Sequence, residues 1–338
     1  MLANLIKKYK DFLRKEYICQ IEKQRAKKQM GYRITDLIGF LKNKNLRILQ
    51  IPDSVYGVEY EDWEYGIESL IKQYIKTNDL ELIQMNNRYG FNNIFSLTSS
   101  LVFLQRYNFG FDCLPFLECI KNFNPKWTVA FDIGANEGIV SCFLAKYSEY
   151  VHSFEPSKTA IRNFEKNITV NDFANVKLNK VAVGDKDGES LLFDCGLEQS
   201  GHNSLIKHEK DVIKDQYKVP VITISSYCNQ HNISKIDFMK IDVEGMEMAV
   251  FNGMRDMIGN RQIEMICFEI SGEIVEDWED EKEILRILSD AGYSLFDTRL
   301  RGIDVDELMY KRIHKDVFAI EKNSVEFYKK KYLDGIAT

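Results

Sequence analysis

From Trp127 to Ile320, short apolar runs rich in β-branched and aromatic residues alternate with segments of helical periodicity. Val129–Ile133, Tyr150–Phe154, Val176–Val183, Phe238–Ile241, Ile263–Ile270, Tyr293–Asp297 and Val317–Ile320 read as strands. Gly138–Tyr147, Ser157–Asn167, Met246–Met254 and Asp280–Ala291 read as helices between them. A strand–helix alternation buries its apolar faces by forming a mostly parallel sheet with helices on both sides. The predicted fold is therefore α/β and doubly wound. Between the third and fourth core strands lie two further strand-like runs, Ser190–Phe193 and Lys218–Ile224, which predict a β-hairpin insertion.

The chain before this alternation has a different texture. Residues 1–30 place Leu2, Leu5, Ile6, Tyr9, Phe12, Leu13 and Tyr17 at helical spacing among lysines, and carry a net charge of +6. The whole chain of 338 residues carries −6, so the remainder carries −12. A basic amphipathic helix of this kind packs on the protein or a second subunit, or rests on an anionic membrane surface. Residues 31–125 read as mainly helical, over Trp63–Thr77, Ile94–Tyr107 and Leu114–Phe123, with one short strand at Leu46–Ile51. Residues 31–125 would supply a lid, a substrate wall or an oligomer contact. Residues 126–322 make the α/β domain, and 323–338 a C-terminal tail. No apolar run approaches the roughly 20 residues of a membrane span. The seven cysteines are scattered without a CxxC pair, which suggests neither a zinc site nor a disulfide framework and fits a cytoplasmic setting.

The most informative stretch is Val129-Ala130-Phe131-Asp132-Ile133-Gly134-Ala135-Asn136-Glu137-Gly138, a strand entering a glycine loop before a helix. Its Gly-x-x-x-Gly spacing is neither a dinucleotide fingerprint nor a P-loop. Gly134 would let the backbone approach a ligand, and Gly138 would let the helix pack on the strand. Asp132 suits a ligand carrying an ammonium group rather than a phosphate. Glu155, in His152-Ser153-Phe154-Glu155-Pro156, ends the second strand about 20 residues on, where a carboxylate accepts from ribose hydroxyls. Ala182 and Val183, one strand later, would flank a flat adenine. Ribose, adenine and an amino-acid tail without phosphate together describe S-adenosylmethionine. The expected cofactor-binding residues are Asp132, Gly134, Ala135, Asn136, Gly138, Glu155, Pro156, Ala182, Val183 and Asp242.

Residues 127–320 resemble the FkbM-type methyltransferases, a branch of the class I S-adenosylmethionine-dependent methyltransferases. The matching pieces are Phe131-Asp132-Ile133-Gly134-Ala135-Asn136-Glu137-Gly138, Phe154-Glu155-Pro156, Ala182-Val183-Gly184-Asp185 and Lys240-Ile241-Asp242-Val243-Glu244-Gly245, followed by Glu247 and Gly253. The resemblance implies a Rossmann-like, seven-stranded sheet with an antiparallel last strand. It also implies methylation of an oxygen on a sugar or natural product. Two departures stand out: Ile224-Ser225-Ser226 lacks an aspartate common in the family, and Ser271 stands where a histidine is common.

Methyl transfer to a hydroxyl requires alignment and removal of a proton. Asp242 and Glu244 at the fourth strand end, and Glu269 at the fifth, are the candidate bases. His202, in a polar segment that approaches the active site in the family, is a fourth. Asp242 and Glu269 could in principle share a divalent ion, but no further ligand set accompanies them, so no metal is predicted. The acceptor expected is a saccharide or small hydroxylated metabolite. The negative balance and the absence of an Asn/Asp/Ser-Pro-Pro-aromatic motif disfavour nucleic acid. A methyltransferase on another acceptor, nucleic acid or protein, and a non-enzymatic binding module are the alternatives.

Overall fold

The computed structural model describes residues 48–51, 82–86, 89–95, 115–196, 202–207, 212–270, 279–305 and 315–336. The chain divides into two compact units, Met1–Cys113 and Leu114–Thr338.

In the first unit the described elements are strands: β1 (Ile48–Ile51), β2 (Leu82–Asn86) and β3 (Asn92–Phe95). They form a sheet in the order β1-β2-β3, with β1 parallel and β3 antiparallel to β2. The short strand expected at Leu46–Ile51 is present over Ile48–Ile51; of the helix expected over Ile94–Tyr107, Ile94 and Phe95 belong to β3, and the rest lies outside the described residues. Ile94 pairs with Gln84 across the ladder, so strand pairing overrides the local helical pattern. The basic helix over residues 1–30 and the helix Trp63–Thr77 lie outside the described residues.

The second unit opens with α1 (Pro115–Phe123), followed by β4 (Trp127–Ile133), α2 (Ile139–Ala145), β5 (Ser148–Phe154), α3 (Lys158–Val170) and β6 (Val176–Asn179). An excursion follows through β7 (Ala182–Val183), β8 (Gly188–Asp194) and β9 (Asp215–Ile222). The chain returns as α4 (Ile224–His231), β10 (Ile236–Ile241), α5 (Glu247–Asn252), α6 (Arg255–Gly259), β11 (Ile263–Ile270), α7 (Glu279–Asp290) and β12 (Tyr293–Phe296). It closes with β13 (Lys315–Glu321) and α8 (Val325–Ile336).

The main sheet has seven strands in the order β12-β13-β11-β10-β4-β5-β6. All neighbouring pairs are parallel except those of β13, which runs antiparallel to both β11 and β12. The winding reverses between β4 and β10, so the switch point, and the crevice that such sheets use for ligands, lies at their carboxyl ends.

Strands β4, β10 and β11 are almost continuously apolar because both their faces are covered. Phe131, Ile133, Met239, Ile241 and Phe268 join one core cluster with Ile224 and Tyr227 of α4 and Val250 and Phe251 of α5. The opposite face of β4 meets α2, where Ser141 reaches Asp132.

Three expectations change. The strand expected over Val176–Val183 is two: Val176–Asn179 stays in the main sheet, and Ala182–Val183 leaves it to pair with Val221 and Ile222 of β9. The expected hairpin, β8 with β9, is thereby one part of a separate three-stranded sheet, β7-β9-β8. The C-terminal stretch is no loose tail. Its helix α8 packs on α1 through Tyr328 and Tyr332 against Phe123, and the Tyr328 hydroxyl accepts from the Trp127 indole at 3.0 Å.

Candidate active site

The carboxyl ends of β4, β5, β10 and β11 lie level, since Ile133 pairs with both Phe154 and Ile241, and Ile241 with Phe268. The loop after β4 is drawn over β5 by two bonds, Gly134 N and Ala135 N donating to Phe154 O at 3.0 and 2.9 Å. On the other side, Asp242 N donates to Ile133 O at 3.0 Å. Gly134 has φ +79°, and a Cβ there would come within 1.8 Å of Asp242 O. The close approach that demands glycine is therefore to the end of β10. Gly138, at φ +81°, leaves room for the Phe164 ring of α3, so the close packing it permits is against that helix rather than against the strand.

Glu155 is 5% exposed. Its Oε1 accepts from Ser157 N at 2.7 Å and its Oε2 from Asn136 N at 2.8 Å, so the glycine loop and the start of α3 aim backbone donors at one carboxylate. Burial pushes the carboxyl up to about 7, against the pull of the two amides. Each oxygen retains a lone pair for a further donor. Asn136, at φ +47°, carries a buried Oδ1 with no hydrogen-bond partner. A carboxylate with spare acceptor capacity, an orphaned amide oxygen and a loop without a side chain at Gly134 fit a nucleoside bearing ribose hydroxyls. Ala135 is buried in the same loop, and Pro156 leads into the α3 cap.

Three members of the expected cofactor set are placed differently. Asp132 does not face the crevice as an open carboxylate: it is 1% exposed, and its Oδ2 accepts from Ser141 Oγ at 2.5 Å, with Ser153 Oγ 2.7 Å beyond. Desolvation raises it to about 6. Strand alternation turns its side chain toward α2 rather than the loop. Ala182 packs with Leu192 and Val219 of the hairpin, and Val183 joins the main core, so both side chains are committed to packing.

The acceptor-side candidates do converge. Asp242 follows β10, Glu269 lies near the end of β11, and Glu244 stands in the turn between β10 and α5 at φ +51°. Glu244 stands at the surface, yet desolvation pushes its carboxyl to about 9, reinforced by Asp242, Glu269 and Glu247. Glu247 closes the turn, its carboxylate accepting from Val243 N and Gly245 N. His202 is exposed, but its segment is tied in: Ser204 Oγ donates to Glu244 O at 2.9 Å, and Cys195 N donates to Asn203 Oδ1 at 2.7 Å.

Sequence reasoning missed two groups. Asp194, at the end of β8, accepts from Ser157 Oγ, Thr159 Oγ1 and Tyr217 OH, and so docks the hairpin beside the Glu155 turn. Lys240 is 2% exposed on a central strand and meets Asp316 of β13 at 3.1 Å and Asp242 at 3.6 Å. A charged residue inside an apolar strand was the available signal for Lys240. Asp194 offered none, because its partners come from α3 and β9. Among the described residues, no group of three or more His, Cys, Asp or Glu is placed to hold a metal ion. No helix among them is long and apolar enough to cross a membrane.

A reversal between β4 and β10, a glycine loop on β4, an acidic residue ending β5 and an antiparallel strand β13 define the class I methyltransferase type. Residues 132–295 match the model of the methyltransferase FkbM domain. It is similar to Methyltransferase 1 of Beauveria bassiana, 23% identical over 144 residues, which make up 37% of this chain and 57% of that protein. The chain thus spans little more than half of that relative. Among solved structures it is similar to the methyltransferase FkbM from Methylobacillus flagellatus, at 14% identity and TM-score 0.38, covering 58% of this chain and 44% of that one. It is also similar to Aeropyrum pernix fibrillarin in complex with S-adenosyl-L-methionine, at 10% identity and TM-score 0.33, covering 59% and 68%.

Proposed function

We propose that the chain is an S-adenosylmethionine-dependent O-methyltransferase acting on a hydroxyl of an uncharged saccharide or related metabolite. The observation that carries the reading is Glu155, a buried carboxylate held by two backbone amides at the end of β5 and able to accept from ribose hydroxyls. Asn136 and the Gly134 loop would hold the rest of the cofactor. S-adenosylmethionine supplies, when bound, a methyl group on a positively charged sulfur.

On the acceptor side, Asp242 takes the hydroxyl proton as the oxygen gains the methyl group. Glu244, in the turn beside Asp242, has its carboxyl pushed up by desolvation and by the surrounding carboxylates, and can hydrogen-bond a neighbouring oxygen of the acceptor. Repulsion from Asp242, Glu247 and Glu269 disfavours an anionic acceptor. The test is incubation of the full chain with methyl-labelled S-adenosylmethionine and fractionated cell extract. Label in an acid-released, alkali-stable methyl ether of a sugar is the expected result; label only in nucleic acid or protein overturns the assignment.

A further inference from the structure

Lys240 is an expensive residue where it stands. An ammonium in the middle of a sheet loses its hydration, and a methionine of similar shape would pack there more favourably. Its surroundings repair that loss completely. Its three N–H donors face Asp316 Oδ1 at 3.1 Å, Ile241 O at 3.4 Å and Asp242 Oδ2 at 3.6 Å, and the Phe116 ring of α1 lies 5.0 Å away. The carboxylates outweigh burial and hold the lysine well above its ordinary range, so it stays charged.

The groups facing it come from every neighbouring element. They are Asp242 and Glu244 after β10, Cys267 and Glu269 on β11, Asp316 on β13 and Asp132 on β4. Burial pushes the Cys267 thiol far up, so it is neutral. Among the described residues, Lys240 is the cation that the contacts place in this group. Of its two ion-pair partners, Asp316 is the more enclosed, while Asp242 stays partly open at the strand end.

We propose that Lys240 is a positioning residue for the proton-accepting step. It holds the Asp242 carboxylate in place at the end of β10, and Asp316 anchors the ammonium from β13. The proposal rests on the reading of Asp242 as proton acceptor. Without the lysine, Asp242 would stand among Glu244, Glu247 and Glu269 with no compensating charge, and like carboxylates at close range do not all ionise.

The test is a titration of the full chain labelled with ¹³C at the aspartate side-chain carboxyls, the Asp242 signal being the one lost in Asp242→Asn. In Lys240→Met its midpoint rises by about one to two pH units, the size of effect an adjacent opposite charge produces. Lys240→Arg restores most of the shift. In Asp316→Asn, the lysine has one competitor fewer, and the Asp242 midpoint falls. A folded Lys240→Met protein with an unmoved midpoint overturns the proposal. If that variant does not fold, Asp316→Asn decides alone: a fall supports the proposal and an unchanged midpoint overturns it. Full turnover by Asp242→Asn would instead remove the base reading, a failure visible separately from the titration.

Discussion

The two halves of the crevice use carboxylates in opposite ways. At the ends of β4 and β5, Glu155 is buried, and its two amide donors lie within 19 residues of it in sequence. At the ends of β10 and β11, Asp242, Glu244, Glu247 and Glu269 crowd together, and among the described residues Lys240, tied to an aspartate 76 residues away, brings positive charge to them. The first half is organised by fixed backbone dipoles and the second by mutual charge. Fixed dipoles suit the recognition of a constant ligand, because they need no ion to arrive or leave. A balance of charges suits a step in which a proton moves.

The largest test of this contrast is Asp242→Asn. Turnover on the labelled acceptor is expected to fall roughly 10²–10⁴-fold, with S-adenosylmethionine affinity by calorimetry nearly unchanged. A matching loss of cofactor affinity would show that the halves are not separate. Gly134→Ala comes next and should break both halves together. Its Cβ would collide with Asp242 O in a left-handed conformation, and a loss of about 3 kcal/mol is expected in urea unfolding.

Glu155→Gln should be the mildest. Cofactor affinity should drop about tenfold, as loss of charge-assisted bonds costs about 1.5–3 kcal/mol each when complete and less for an amide. The same variant sharpens the contrast through pH. A carboxyl raised from 4.5 to about 7 on folding binds its proton more tightly in the native state. Its contribution to stability is full below about pH 4.5 and is lost as pH rises through about 7. The cofactor-free protein should therefore lose stability over that window. Glu155→Gln should make the fall shallower, leaving the parts due to Asp132, Glu244 and Glu247, which are raised in the same direction.

The half built on local bonds was the legible one. Gly134, Gly138 and Glu155 lie within one strand–helix–strand unit, and the chemistry of the loop follows from their order. Asp242 and Glu244 were legible as residues, but their charge balance was not. It depends on β13 sliding antiparallel beside β11, which brings Asp316 opposite Glu269 and within reach of Lys240. The division of Val176–Val183 was hidden for a related reason. Both pieces favour strand, and only the distant β9 draws Ala182–Val183 out of the main sheet. Helix α8 had a readable signal in Val325, Tyr328 and Tyr332, whose spacing places them on one face. What they cover, Phe123 and Trp127, lies some two hundred residues earlier.

That last contact governs the order in which the domain can be made. Strand β13 completes the sheet between β11 and β12, and α8 then closes over α1, whose Phe123 also meets Phe318 of β13. As the chain leaves the ribosome, β4, β5, β6 and β10 can pair as they emerge, but Phe123, Trp127 and the edge of β11 stay uncovered until β13 and α8 have followed. Contacts of such long sequence separation form late. The exposed interval makes the growing chain a substrate for folding helpers. An early stop anywhere in the last strand or helix would leave the glycine loop present in sequence while removing the surface that seals the domain.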